Sequence, residues 1–296
     1  MHSRNPVFAR ADGFNGKGNS YGNVTYPGNG QSYAGYGSPS TWGVGTPGAP
    51  GPTHTEAAQG PMTIDTVVQK TGITLAVVFV AAAATWLLTG DPRQLGVSGT
   101  NVAGQLYGLS LVGALGGFVL AMVNSFKRVV SPALVIAYAA LEGVFIGAFS
   151  KVVAAYFGGD GGGTSIVVGA VLGTVAAVAG TLAAYRFFNI KVGQKFRMWV
   201  IGLMFGFVAL SMLDLVLSLF HASFGFNGFG GMGLISSVVG LGLGVLMLIL
   251  DFDFVERGIR AGLPERESWR AAFGLTVTIV WIYIELLRIL AILNRR

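Results

Sequence analysis

Four carboxylic acids lie inside long apolar stretches of this sequence, where an ionisable group is costly to place. They are Glu142 in YAALEGVFIGAF, Asp214, Asp251 directly after GVLMLIL, and Glu285. A charge near the centre of a bilayer costs roughly 2.5–3.5 kcal/mol on insertion scales, so each group needs a partner or a function. A carboxylic acid that is removed from water can keep its proton, or release it and attract a cation. This chemistry points to proton sensing or cation handling.

Basic neighbours suggest a structural role for some acidic groups. Arg288 follows Glu285 by three residues, which is one helical turn, and can neutralise it. Asp253 can pair in the same way with Arg257.

Other carboxylates have no basic residue within a turn. Ser211 and Ser218 share a helix face with Asp214, which suits either a hydrogen-bonded link between helices or a place in a pathway. Glu142 and Asp251 have neither kind of neighbour, so a functional role is favoured for both. Asp251 is the main candidate.

Seven apolar runs, each about the ~20 residues that cross a bilayer, must position these groups. Their predicted bounds are 72–89, 105–124, 133–156, 165–186, 199–220, 233–254 and 272–293. Lipid offers no hydrogen-bond partners, so each run must be a helix. A stripe of Gly274, Thr278, Glu285 and Arg288 predicts that the last helix faces the bundle interior. The fold class is therefore all-α, a polytopic bundle of seven transmembrane helices.

The composition supports a lipid environment. Of 296 residues, 52% are hydrophobic and only 11% are charged, whereas soluble domains carry about a quarter charged residues. The chain has no Cys, which excludes disulfides, thiolate metal sites and a Cys nucleophile. Spacings such as Gly143/Gly147 and Gly202/Gly206 permit close helix approach, and we interpret them as packing.

Residues 1–61 form a segment rich in Gly, Ser, Pro and Tyr with almost no aliphatic run. Such a segment cannot bury enough surface to offset its ordering entropy, so we predict a disordered tail ahead of a membrane domain at 62–296. The tail and the loops are candidate contacts for a membrane protease or another membrane protein.

The connections predict the orientation. Fourteen Lys and Arg residues fall on the side of the N-terminus and five on the other. This bias places the N-terminus in the cytoplasm and the C-terminus outside. The net charge of +6 is spread over short connections and not gathered in a patch, so no nucleic-acid partner is expected.

Catalytic and cofactor motifs are missing or out of context. Gly228, Gly230 and Gly233 match G-x-G-x-x-G but no strand precedes them, and there is no G-x-S-x-G elbow or H-E-x-x-H pair. We therefore expect no enzyme activity and no cofactor. A proton-coupled transporter of a small solute remains an alternative, although broken helices in matching positions are not evident.

Four motifs in order resemble the Bax inhibitor-1 family, the YccA-like and TMBIM proteins, in an actinobacterial-type branch. They are the opening HSRNPVFAR, YAALEGVFIGAFS in the third helix, LILDF at the end of the sixth, and LLRILAIL in the last. The resemblance implies a seven-helix bundle with the last helix near its centre. It also implies a pH-sensitive calcium leak in some members, attributed to paired aspartates on the last two helices. Other members are linked to membrane proteases or to suppression of stress-induced death.

Asp251 matches the first of those aspartates, and the second position falls on Thr278. The leading hypothesis is a channel or sensor in the inner (plasma) membrane of a bacterium, in which Thr278 gives Asp251 a neutral hydrogen-bonding partner and Lys127 or Arg128 pairs with it at the cytoplasmic mouth. Glu142, Asp214 and Glu285 are further candidates along the interior, and Ca²⁺ is the candidate transported ion. A regulatory protein that transports nothing is the second hypothesis.

Overall fold

Seven long helices dominate the computed structural model of the chain, which describes residues 60–93, 97–158, 163–188, 190 and 192–294. They are α1 (Ile64–Leu88), α2 (Val97–Phe126), α3 (Pro132–Phe157), α4 (Thr164–Phe187), α5 (Gln194–Leu219), α6 (Gly231–Arg260) and α7 (Ser268–Leu293). Each is long and apolar enough to cross a membrane. The predicted all-α fold is confirmed. The tail lies almost wholly outside the described residues, so its disorder stays a prediction.

Helix α1 begins earlier than its apolar run predicts, at Ile64 instead of residue 72. Thr63 and Thr66 form a capping box, in which each side chain accepts a hydrogen bond from the backbone N–H of the other. One turn later, Lys70 Nζ donates to Glu265 Oε1 at 2.9 Å. The polar first turns are therefore satisfied by capping and pairing, which a hydropathy scan does not detect.

The chain just before α1 is joined to the connection between α6 and α7. Met62 N donates to the carbonyl of Leu263 at 2.7 Å, and Glu265 N donates to the carbonyl of Gly60 at 2.8 Å. The Met62 side chain is buried. We call this the first end of the bundle, where α1, α3, α5 and α7 begin, and the opposite end the second end.

Helix α7 is the centre of the bundle, since it packs against α1, α3, α4 and α6. Hydroxyl pairs tie it to its neighbours: Thr276 and Thr74 of α1 are 2.8 Å apart, and Tyr283 and Ser150 of α3 are 2.7 Å apart. The predicted interior position of α7 is confirmed.

Glycines set the close approach of α3 to α1. A Cβ added at Gly143 would collide with the carbonyl oxygen of Val78, and one added at Gly147 would collide with that of Ala82. The packing interpretation holds at these two positions. By contrast, Gly202 and Gly206 of α5 face open space, where an added Cβ would meet nothing within 4 Å.

The outer surface of the bundle is apolar. Exposed aromatic and aliphatic side chains occur on several helices, including Phe79, Phe118, Leu172, Phe205 and Ile235. Such a surface is stable against lipid and costly in water.

Candidate functional site: a carboxylate between the last two helices

Asp251 contacts the central helix directly. Thr278 Oγ1 of α7 donates a hydrogen bond to Asp251 Oδ2 of α6 at 2.6 Å. Thr278 is buried and Asp251 is partly buried. Gly274, one turn before Thr278, faces the same carboxylate, because a Cβ added there would be in ordinary van der Waals contact with Asp251 Oδ1, at 3.7 Å. The structure therefore brings together Asp251 and Thr278, the two positions at which the sequence resemblance leads us to expect a pair of interacting side chains.

A cavity of about 270 Å³ opens beside this carboxylate near the first end. Its lining includes Asn124, Ser125, Asp251, Phe254, Arg270 and Gly274. The lining combines one carboxylate, an amide, a hydroxyl and one guanidinium within apolar surroundings. A hydrated proton or a small cation can therefore meet oxygen ligands here.

The predicted counter-charges of Asp251 lie elsewhere. Lys127 and Arg128 are exposed, and within the described ranges no ion pair joins either of them to Asp251. Helix α2 ends at Phe126, so both residues fall in the connection that follows it. Arg128 takes part through its backbone, since its carbonyl accepts from Arg270 Nη2 at 2.8 Å. Arg270 is thus the basic residue of the cavity.

Glu142 lies at the interface of α3 with α2, away from the lining of this cavity. A Cβ added at Gly117 of α2 would come within 2.8 Å of Glu142 Oε2, so the glycine makes space for the carboxylate. Tyr138, one turn earlier, is buried and packs edge-on against Phe273 of α7, with ring centroids 5.0 Å apart.

Asp214 holds the connection between α5 and α6. Its Oδ1 accepts the backbone N–H groups of Phe224 and Gly225 at 2.9 and 3.1 Å, and its Oδ2 accepts that of Asn227 at 2.8 Å.

The serines near Asp214 bond to other groups. Ser211 donates to Asn227 Oδ1, and Ser218 donates to the carbonyl of Leu215. The expected link through these serines is therefore wrong, because the turn supplies backbone donors that satisfy both carboxylate oxygens.

Glu285 is neutralised as its spacing predicts. Arg288 Nη1 lies 3.1 Å from Glu285 Oε2, and both side chains are buried. Arg288 Nη2 also donates to the carbonyls of Phe226 and Gly228 at 2.8 and 3.2 Å. The pair therefore ties α7 to the α5–α6 connection near the second end.

Asp253 pairs with Arg257 at 2.6 Å, as predicted, and also with Arg197 of α5 at 3.2 Å. Asp251 accepts its one described side-chain hydrogen bond from a neutral hydroxyl, whereas Asp214, Asp253 and Glu285 are held by backbone N–H groups or by arginines.

Residues 5–295 match the family model described as Bax inhibitor 1 like. The chain belongs to this family. Comparison with curated proteins gives no match. Family membership together with seven apolar helices makes the chain a multi-pass integral membrane protein. The resemblance drawn from four motifs is thereby confirmed.

Within this member of the Bax inhibitor 1 like family, the ligand set for a resident metal is sparse. In the part of the chain that the structure describes, no group of three His, Cys, Asp or Glu side chains is placed to hold a metal ion.

One basic side chain has a position that the sequence did not indicate. Lys151 of α3 donates to the carbonyls of Trp86 and Thr89 at 2.6 and 2.5 Å, and so caps the last turn of α1. Its only sequence signal is a Lys near the end of an apolar run. Outside the helices, the backbone N–H of Arg93 holds the pKa of Asp91 below its ordinary value.

Proposed function

We propose that this protein is a pH-sensitive cation leak channel or sensor, with calcium as its ion and Asp251 as its main titrating group. The observation that supports this most is the hydrogen bond from Thr278 to Asp251 beside a polar cavity. A neutral donor stabilises the carboxylate without cancelling its charge, so the charge stays available to a cation.

Protonation of Asp251 would change the contact between α6 and α7. The ionised carboxylate accepts from Thr278, whereas the protonated acid can itself donate and no longer attracts a cation. Because α7 packs on four other helices, a change at this contact can bias the packing of the whole bundle.

The cavity offers the hard oxygen ligands that Ca²⁺ prefers. The carboxylate of Asp251, the amide of Asn124 and the hydroxyl of Ser125 line it together. Arg270 at the same cavity is paired with Glu267 at 2.7 Å, and we assign this guanidinium the role of keeping the affinity for a bound cation low enough for the ion to leave. We propose Glu142 as a second carboxylate on the path of the ion through the bundle. We assign Asp214 and Glu285 to structural support, since both are satisfied by fixed partners.

Flux measurements on the purified full chain test this proposal. Protein reconstituted into vesicles of defined lipid, with a calcium indicator inside, should admit Ca²⁺ at a rate that changes with external pH. Vesicles without protein are the control. A pure protein that admits no ion at any pH would contradict the channel proposal and favour the regulatory hypothesis.

The proposal places the first end of the bundle in the cytoplasm of a bacterium. The chain has no Cys, so single cysteines at Lys195 and Asp91 can report the two ends separately. An impermeant maleimide applied to intact cells should label Asp91→Cys and spare Lys195→Cys. The reverse labelling would overturn the orientation.

A further inference from the structure

Two cavities follow each other along one side of the bundle, between α1 and α4. The cavity near the first end has a volume of about 530 Å³ and includes Ile64, Val68 and Leu182 in its lining. The other has a volume of about 600 Å³ and includes Gly72 and Val171. Helix α7, which packs on both α1 and α4, contributes to the lining of each, and α6 supplies five residues that line the cavity near the first end. We call the two together the α1–α4 crevice.

The crevice has the length of a bilayer core. Its lining on α1 runs from Ile64 to Trp86, which is about 33 Å at 1.5 Å per residue. The hydrocarbon core of a typical bilayer is about 30 Å thick. The crevice therefore lies alongside lipid tails over its whole length, as a concave apolar groove in a lipid-facing surface.

Charge distinguishes the two parts of the crevice. Among the described residues that line the larger cavity, none is charged. The cavity near the first end is lined by Arg186 at the end of α4 and Arg260 at the end of α6, together with Glu256. Two guanidinium groups and one carboxylate leave a net positive charge at this end.

The acidic neighbour is already engaged. Glu256 accepts a hydrogen bond from Tyr185 at 2.7 Å and pairs with Arg260 at 2.5 Å. Within the described ranges Arg186 forms no ion pair. A guanidinium at the membrane interface suits a phosphate group, because its planar donors match two phosphate oxygens.

We propose that the α1–α4 crevice is a binding site for one anionic phospholipid of the leaflet at the first end. One acyl chain lies in the crevice against α7, and the phosphate lies between Arg186 and Arg260. The net positive charge of the cavity near the first end favours an anionic headgroup over a zwitterionic one, and the uncharged larger cavity accommodates the acyl chain. This site is separate from the cavity at Asp251, and the proposal does not rest on the channel function.

Gly72 gives a specific test of the proposed acyl-chain site. It lines the crevice, and a Cβ added there meets nothing within 4 Å, so Gly72→Leu fills the groove without a clash. Gly202→Leu is the matched control, because Gly202 also faces open space but lies on α5 and outside the crevice. Ala76→Leu, on the same exposed face of α1, is a second plug if the first variant does not fold.

Native mass spectrometry of the full chain in mild detergent gives the measurement. The protein is incubated with equal amounts of dioleoyl phosphatidylglycerol and dioleoyl phosphatidylcholine. Wild type and Gly202→Leu should retain one phosphatidylglycerol, and Gly72→Leu should lose about tenfold in bound lipid. Equal lipid retention by all three proteins would overturn the proposed acyl-chain site. A change in oligomeric mass instead of lipid adducts would also overturn it, in favour of a second copy.

The headgroup preference is tested separately. Arg186→Gln with Arg260→Gln should lower the ratio of bound phosphatidylglycerol to phosphatidylcholine by about tenfold, since two charge-assisted contacts are removed. Lys195→Gln is the control, because Lys195 is exposed near the same end and does not line the crevice. An unchanged ratio in the double variant would contradict the phosphate site.

Discussion

Thr278 and Asp251 join the central helix to α6 through a hydrogen bond of 2.6 Å. The sequence resemblance implies an aspartate at each of these positions, and here one of them is a threonine. A threonine next to the carboxylate removes the repulsion that two carboxylates sharing a site would have. The switch that we propose is therefore a carboxylate with a neutral donor, and not a shared-proton pair.

Removal of that donor is the first prediction. Thr278→Val keeps the side-chain shape and should lower the free energy of unfolding by about 1–2 kcal/mol, because the carboxylate loses its described hydrogen bond. The pH dependence of Ca²⁺ flux should shift as well. Thr278→Ser keeps the hydroxyl and is the control. Equal pH profiles for Thr278→Val and wild type would contradict a role for this bond.

Disruption of the buried pair at the second end should be costly. Glu285→Gln leaves Arg288 charged and buried without its acidic partner, so we expect a loss of about 3–5 kcal/mol in unfolding free energy. Glu285→Gln combined with Arg288→Met should recover part of that loss, since the unpaired charge is removed. Thermal unfolding in detergent gives the comparison. A double variant that is no more stable than Glu285→Gln alone would refute the pairing account.

Asp214 should matter for the α5–α6 connection and not for ion passage. Asp214→Asn replaces one acceptor oxygen by an amide that faces backbone N–H groups, which should cost about 1.5–3 kcal/mol. Hydrogen exchange should rise at residues 224–227. The pH dependence of flux should stay as in wild type. Altered pH dependence with unchanged exchange would instead place Asp214 on the pathway.

Glycine at position 143 should be required for packing of α1 on α3. Gly143→Ala forces a methyl group against the carbonyl of Val78, and overpacking of this kind costs about 1–3 kcal/mol. Gly202→Ala faces open space and should leave the melting temperature in place. Equal melting temperatures for the two variants would show that the helices do not approach as closely as described.

Hydropathy and the spacing of polar residues within a helix were sufficient to predict the architecture. Apolar runs located seven helices, and the polar stripe of the last one, with Thr278, Glu285 and Arg288, predicted its interior position. These features depend on spacing within one helix, which the sequence states directly. The pairing of Glu285 with Arg288 was predictable for the same reason.

Contacts between distant segments were not predictable in this way. Arg270 lies 19 positions beyond Asp251 and reaches the same cavity only because the α6–α7 connection turns the chain back. The donors of Asp214 are backbone N–H groups ten or more residues away. Nearly every residue has such a group, so the residue types do not show which ones donate. The pairing of Lys127 or Arg128 with Asp251 was predicted from opposite charge alone. The sequence does not show where the end of α2 lies relative to α6, so this prediction could not be checked against position.

The most direct test of the central claim is Ca²⁺ flux as a function of pH for Asp251→Asn beside wild type, in vesicles that contain only the protein and lipid. Asparagine keeps the size of the side chain and its bond to Thr278 but cannot change charge. The account predicts that Asp251→Asn folds normally and has a flux that no longer varies with pH. A variant with the pH profile of wild type would contradict the claim that Asp251 is the titrating group.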